Sequence, residues 1–194
     1  MSGKPLKTVW CTYTFVSLGA LVALRLIFTR MLAINIGGFV RISLGSVATI
    51  MAGLWLGPAG GALCGIAGDL LGCLMQGYFV NPFILLAAAL TGVLPVITSY
   101  LLLRGRKTSR AKRIAAVCAG VLVSCIICTL FLTTLGLVTM YGYNLFAILP
   151  SRLIQFAFMT PVYCILVNLL YESPVTNMIR QALESKAGKA AHAG

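Results

Sequence analysis

The chain has 194 residues, 60% of them apolar and only 9% charged, and 15 Lys and Arg against 3 Asp and Glu give it a net charge of +12. No water-soluble fold of this length can hide so much apolar surface, so the solvent for most of the chain is lipid, and one polytopic membrane domain, 1–194, fills the length. The positive charge sits mainly in loops beside apolar segments, where it sets topology, and it does not point to nucleic acid.

A helix needs about 20 apolar residues to cross the hydrocarbon core of a bilayer. Lys4 and Lys7 precede the first apolar run, 9–34. That run is too long for a signal peptide, holds Arg25 and shows no clear cleavage site, so it reads as a retained span. A short segment broken by Gly37 and Gly38 leads to the second run, 44–56, which ends at the Gly57-Pro58 turn. The third run, 60–75, is rich in Gly and Ala; pairing with the second as a re-entrant hairpin is the alternative to two separate spans. A loop over 76–82 precedes the fourth run, 83–103, and a basic block over 104–113 precedes the fifth, 114–140. Tyr141, Gly142, Tyr143 and Asn144 then form a loop, and Pro150 stands at the mouth of the sixth run, 151–171. The remainder, 172–194, is a polar, Ala-rich, Lys-bearing tail. The expectation is an all-α membrane protein with six transmembrane helices.

Arg104, Arg106, Lys107, Arg110, Lys112 and Arg113 place the loop after the fourth span in the cytoplasm. Six spans then put both termini, with Lys4, Lys7, Arg180, Lys186 and Lys189, in the cytoplasm as well. The four remaining basic residues, Arg25, Arg30, Arg41 and Arg152, fall in or near the outer half, where topology does not explain them. At a rise of about 1.5 Å per residue, Asp69 lies about 9 Å below the outer surface, at a depth similar to Arg25. Asp69 is the one acidic residue in any span. Charged groups at such depth are costly in lipid and mark function. Two readings follow: an outward-opening pocket of several arginines and one carboxylate for an anionic ligand with hydrogen-bond donors, or a structural Arg25–Asp69 ion pair with the other arginines reaching lipid phosphates.

Tyr78, Phe79, Phe83, Tyr141, Tyr143 and Phe146 cluster at the same end. They fit an interfacial aromatic belt, and some of them a stacking surface for a flat heterocycle. Small residues recur at helical spacing, Gly19 and Ala23 in the first span and Gly61, Gly65, Gly68 and Gly72 in the third, and they allow helices to approach closely. All seven cysteines lie in apolar runs. Cys125 and Cys128 have CxxC spacing but read Cys-Ile-Ile-Cys without a neighbouring His or acid, so they pack as small hydrophobes; an intramembrane thiol oxidoreductase is the alternative. The one histidine, His192, is in the tail, which removes a Ser-His protease and the usual zinc sites. No G-x-x-x-x-G-K-[ST] run is present, so the chain does not hydrolyse ATP itself. Neither a catalytic centre, a metal nor a cofactor is expected.

The runs Ala-Leu-Arg-Leu-Ile-Phe-Thr-Arg (23–30), Arg-Ile-Ser-Leu-Gly (41–45), Leu-Gly-Pro (56–58), Gly-Asp-Leu-Leu-Gly (68–72) and Ala-Ala-Leu-Thr-Gly (88–92) together resemble the substrate-binding S components of energy-coupling factor (ECF) vitamin transporters, the folate-specific branch most closely. The resemblance implies a six-helix protein of the bacterial plasma membrane that captures its vitamin in an outward-facing pocket and joins a transmembrane T component and two ABC ATPases. It implies Asp69 as acceptor for the pterin donors and Arg25, Arg30, Arg41 and Arg152 as partners of the glutamate carboxylates, for which arginine is well suited. Tyr78, Phe79 and Phe83 would flank the ring. It further implies that Gly19 and Ala23, standing where the family has an AxxxA pattern, dock to the T component. Riboflavin and thiamine are the alternative substrates; neither carries two carboxylates.

Overall fold

The computed structural model describes residues 12–31, 34–36, 40–103, 109–142, 145–173, 176, 178–179 and 181. The terminal lysines, Arg104, Arg106, Lys107, Arg180, Gly37, Gly38, Tyr143, Asn144 and His192 lie outside them, as do the side chains of Arg41 and Tyr141.

Six helical rods make up the described chain. Helix α1 (Thr12–Leu26) widens into a π-helical stretch, Ile27–Met31; α2 is Gly45–Leu56, α3 Pro58–Gln76 and α4 Pro82–Leu103. The fifth rod runs from α5 (Arg110–Ser124) through a second π-helical stretch, Cys125–Leu132, into α6 (Thr133–Tyr141), and α7 spans Leu145–Glu172. Five are long and apolar enough to cross a membrane: Thr12–Met31, Pro58–Gln76, Pro82–Leu103, Arg110–Thr139 and Leu149–Glu172.

The all-α expectation holds, with one short addition. Residues between α1 and α2 form a two-stranded antiparallel hairpin, β1 (Ile34–Ile36) with β2 (Val40–Ile42), in which Asn35 pairs with Arg41. Strands of three residues are too short to leave a period-two signature in an otherwise apolar stretch. The last helix also begins earlier than the sequence suggests: Pro150 lies inside α7, not at its mouth.

Helix α2 explains its own composition. It has 12 residues, and eleven of them, all but Ser46, are buried. A helix that is apolar all round belongs inside a bundle, and α2 packs on α1, α3, α4 and α7 around Ile50, Met51, Val117, Val121 and Val167. Conversely Phe15, Leu74, Phe131, Leu153, Phe158, Ile165 and Leu169 are exposed, as lipid-facing residues are.

Glycine sets how close the rods come. A Cβ at Gly61 would lie 2.6 Å from Gly92 O, and one at Gly65 would lie 2.1 Å from Ala88 O, so the backbones of α3 and α4 are in contact. Helix α3 begins with Pro58 after Gly57 and ends at Gly77, whose φ of 65° permits Tyr78 N–H to reach Cys73 O at 3.1 Å. Asn81 starts α4: its Oδ1 accepts from Phe83 N–H (3.0 Å), and its Nδ2 donates to Gly136 O of α6 (2.8 Å). The onset of the presumed polar tail is not free of the bundle. Thr176 is buried, accepts from Trp55 Nε1–H at 3.1 Å and donates to Leu170 O at 2.7 Å.

Candidate substrate-binding site

The C-terminal ends of α1 and α3, the N-terminal ends of α2, α4 and α7, and the π-helical part of the fifth rod meet at one end of the bundle around a partly open cavity of about 340 Å³. That is at the low end of the ~300–1,000 Å³ range of small-ligand sites, so an elongated ligand would extend into the mouth. Arg30, Asp69, Tyr78, Phe79 and Arg152 all line this cavity. A narrower space of about 150 Å³ adjoins it, sharing Asp69, Ser46, Thr129 and Thr133 and bounded by Arg25.

Each arginine of the first rod has a glycine of α3 opposite it. A Cβ at Gly68 would stand 2.5 Å from Arg25 Cδ, and one at Gly72 would stand 2.5 Å from Arg30 Nη2. The upper half of the Gly row in α3 thus makes room for two long cationic side chains, whereas the lower half makes room for α4. The spacing alone suggests only helix contact.

The two arginines do different things. Arg25 Nη1 donates to Thr49 Oγ1 (3.0 Å), Cys64 O (3.3 Å) and Gly65 O (2.8 Å), which clamps α1 to α2 and α3 beneath the cavity. Arg30 reaches the cavity itself, and its Nη1 donates to Gln76 Oε1. Its Nε is buried with no hydrogen-bond partner, and so is Asp69 Oδ2. No ion pair joins Asp69 to Arg25 or Arg30 among the described residues, although both cations lie within electrostatic reach of its carboxylate, so no direct salt bridge holds Asp69. A buried acceptor left unmade is costly unless a ligand or water completes it.

Arg152, on the first half of α7, donates from Nη1 to Gln155 Oε1 at 3.1 Å. Arg41 belongs to β2, which packs on α7, and Ser43 two residues on lines the cavity. Tyr78 is 62% and Phe79 95% exposed at the mouth. Phe83 is not among the lining residues; it packs instead beside Gly136 of α6. The sequence reading did not single out Thr29, Ser43, Ser46, Asn81, Thr129, Thr133 and Gln155, polar groups that also face the cavity. Their signal was present as hydroxyls and amides inside apolar runs. Tyr163 adds a tether, its hydroxyl donating to Ser43 O at 2.7 Å. The π-helical stretch turns Cys125 and Thr129 to this wall beside Thr133 at the start of α6, and the Thr133 and Thr134 hydroxyls satisfy the carbonyls five residues back, Cys128 O and Thr129 O, at 2.8 and 3.4 Å.

Residues 14–176 match the family described as ECF transporter, substrate-specific component. The chain belongs to that family. As an S component it is a transport subunit, not an enzyme, and a multi-pass protein of the bacterial cell membrane. A crystal structure of FolT bound with folic acid is similar to it over 80% of this chain and 90% of that one, with 26% identity and a TM-score of 0.64. A second structure, the S component of a bacterial ECF transporter, shares the fold at 19% identity and a TM-score of 0.58, covering 81% and 95% of the two chains. No curated protein sequence matches this S component. Away from the cavity, Gly19, Ala20 and Ala23 are exposed on α1 beside Phe15 and Val16, and nothing lies within 4 Å of a Cβ at Gly19.

Proposed function

We propose that this S component captures folate at the outer face of the membrane and delivers it to the cell as part of an ECF-type ABC transporter. The observation that carries the reading is the set of opposite groups in one cavity that, among the described residues, form no salt bridge: Arg30 and Arg152 without a carboxylate within ion-pair distance, and Asp69 Oδ2 without a donor. A ligand with a dicarboxylate at one end and ring N–H donors at the other completes all three. The likeness to folate-bound FolT supports the same choice. In this reading Arg30 and Arg152 take the glutamate carboxylates, with Arg41 a further candidate for them, Asp69 accepts from the pterin, and Tyr78 and Phe79 cover the ring. Arg25 acts one layer below, holding α1 in place.

The proposal also covers topology and partners. Six spans place both termini in the cytoplasm and the cavity outside. The flat face of Gly19 and Ala23 receives the T component, which carries the two ABC ATPases. The test is titration of the purified full-length chain with folate, riboflavin and thiamine, together with mass spectrometry of any ligand that co-purifies. Folate is expected to bind far more tightly than the other two; preferential binding of riboflavin or thiamine sinks the folate assignment.

A further inference from the structure

Both arginines that line the cavity are held in the same unusual manner. Arg30 Nη1 donates to the amide oxygen of Gln76, the last residue of α3, and Arg152 Nη1 donates to the amide oxygen of Gln155, one turn along α7. Buried or half-buried arginines are ordinarily paired with carboxylates, which orient the guanidinium and cancel its charge together. An amide oxygen does only the first. It fixes one N–H of the five and leaves the net charge and the other donors in place. Among the described residues the one carboxylate lining the cavity, Asp69, lies within electrostatic reach of Arg30 but forms no ion pair with either arginine, and Arg30 Nε has no hydrogen-bond partner.

We infer that Gln76 and Gln155 are positioning residues that aim Arg30 and Arg152 through a neutral acceptor, and so reserve both positive charges for a dianionic ligand. The inference rests on the folate reading for the identity of that ligand, but not for the pairing itself. A glutamate at either position would be nearly the same shape and would occupy the same guanidinium with a charge of its own. The ligand's carboxylates would then compete with an internal anion already in place. Selectivity for charge, not shape, is therefore the property these two residues set.

The experiment compares Gln76→Glu, Gln155→Glu and Gln155→Leu with the unaltered full-length chain, using folate and folate dimethyl ester as probes. Each glutamate variant is expected to lose at least about tenfold in folate affinity while its affinity for the uncharged ester changes less than about threefold. Gln155→Leu is expected to lose less than Gln155→Glu for folate, because it removes an orienting bond without adding an opposing charge. Ligand-free Gln155→Glu is expected to melt higher than the unaltered protein, because the half-buried amide contact becomes an ion pair. Glutamate variants that bind folate normally overturn the inference, and equal losses for folate and ester reduce the glutamines to a structural role and overturn it too. If the unaltered chain binds no folate, the folate assignment fails, and the melting arm then decides this inference alone: no rise for Gln155→Glu overturns it.

Discussion

Gly72 and Arg30 share one volume, since a Cβ at position 72 would lie 2.5 Å from Arg30 Nη2. The added methyl meets the end of a flexible side chain, which can swing away. Gly72→Ala is therefore expected to displace the guanidinium from the cavity and weaken folate binding by about tenfold, with little change in melting temperature. Gly65→Ala is the contrasting case. Its methyl meets Ala88 O at 2.1 Å and Ala88 C at 2.6 Å, backbone that cannot yield without parting α3 from α4. Overpacking of that kind costs about 1–3 kcal/mol. Folate titration and thermal melts of the two variants separate the effects; a Gly72→Ala protein with normal affinity would show that Arg30 does not touch the ligand.

Arg152 and Arg25 are predicted to fail differently. Arg152 bonds within its own helix, to Gln155, and lines the cavity, so Arg152→Ala should fold normally and lose about ten- to a hundredfold in folate affinity, equivalent to roughly 1.5–3 kcal/mol for one charge-assisted contact. Arg25 bridges three helices, and Arg25→Ala leaves Gly65 O and Cys64 O without this donor. Its first symptom should be a lower melting temperature. If Arg25→Ala melts normally and loses only affinity, Arg25 belongs with the ligand and not with the clamp.

Asp69 tests the other end of the ligand. Asp69→Asn replaces a charged acceptor by a neutral one whose amide also brings donors of its own. Folate and pteroate, which has the ring but no glutamate, should both weaken by a similar factor. A loss confined to folate would move Asp69 away from the ring and towards the tail.

The outer face of α1 predicts a separation of capture from transport. Gly19→Leu or Ala23→Leu adds bulk where the described chain has open space, so folate binding should stay near normal while co-purification with the T component and uptake are lost. Normal assembly and uptake would mean that this face meets only lipid, and lost binding would mean that the face lies inside the protein.

Much of the architecture was legible because hydropathy is a local sum. The five long helices and the convergence of Arg30, Asp69 and Arg152 at one end follow from where apolar runs start and stop. What depends on contacts between distant residues was not legible. Arg25 looks like Arg30 in sequence, five residues away, and only Thr49, Cys64 and Gly65, 24 to 40 residues downstream, make it a clamp. Phe83 sits in the same aromatic cluster as Phe79, but the Asn81 cap turns it towards Gly136. Gln76 and Gln155 carry no charge, so nothing in composition draws attention to them until their arginines are seen. The hairpin at Asn35 and Arg41 is too short for its alternation to register.

The brevity of α2 reaches back to biosynthesis. At about 1.5 Å per residue its 12 residues measure about 18 Å, well short of the roughly 30 Å of bilayer hydrocarbon. Alone in lipid, its end peptide groups would have neither water nor a neighbour to bond. Yet α2 leaves the ribosome before α3 and α4, the helices that enclose it. The expectation is that it waits for them and enters with them, as a passenger. A chain that ends just after Gly57 and has been released from the ribosome should leave α2 within reach of a water-soluble protease, whereas one that ends beyond Leu103 should shield it.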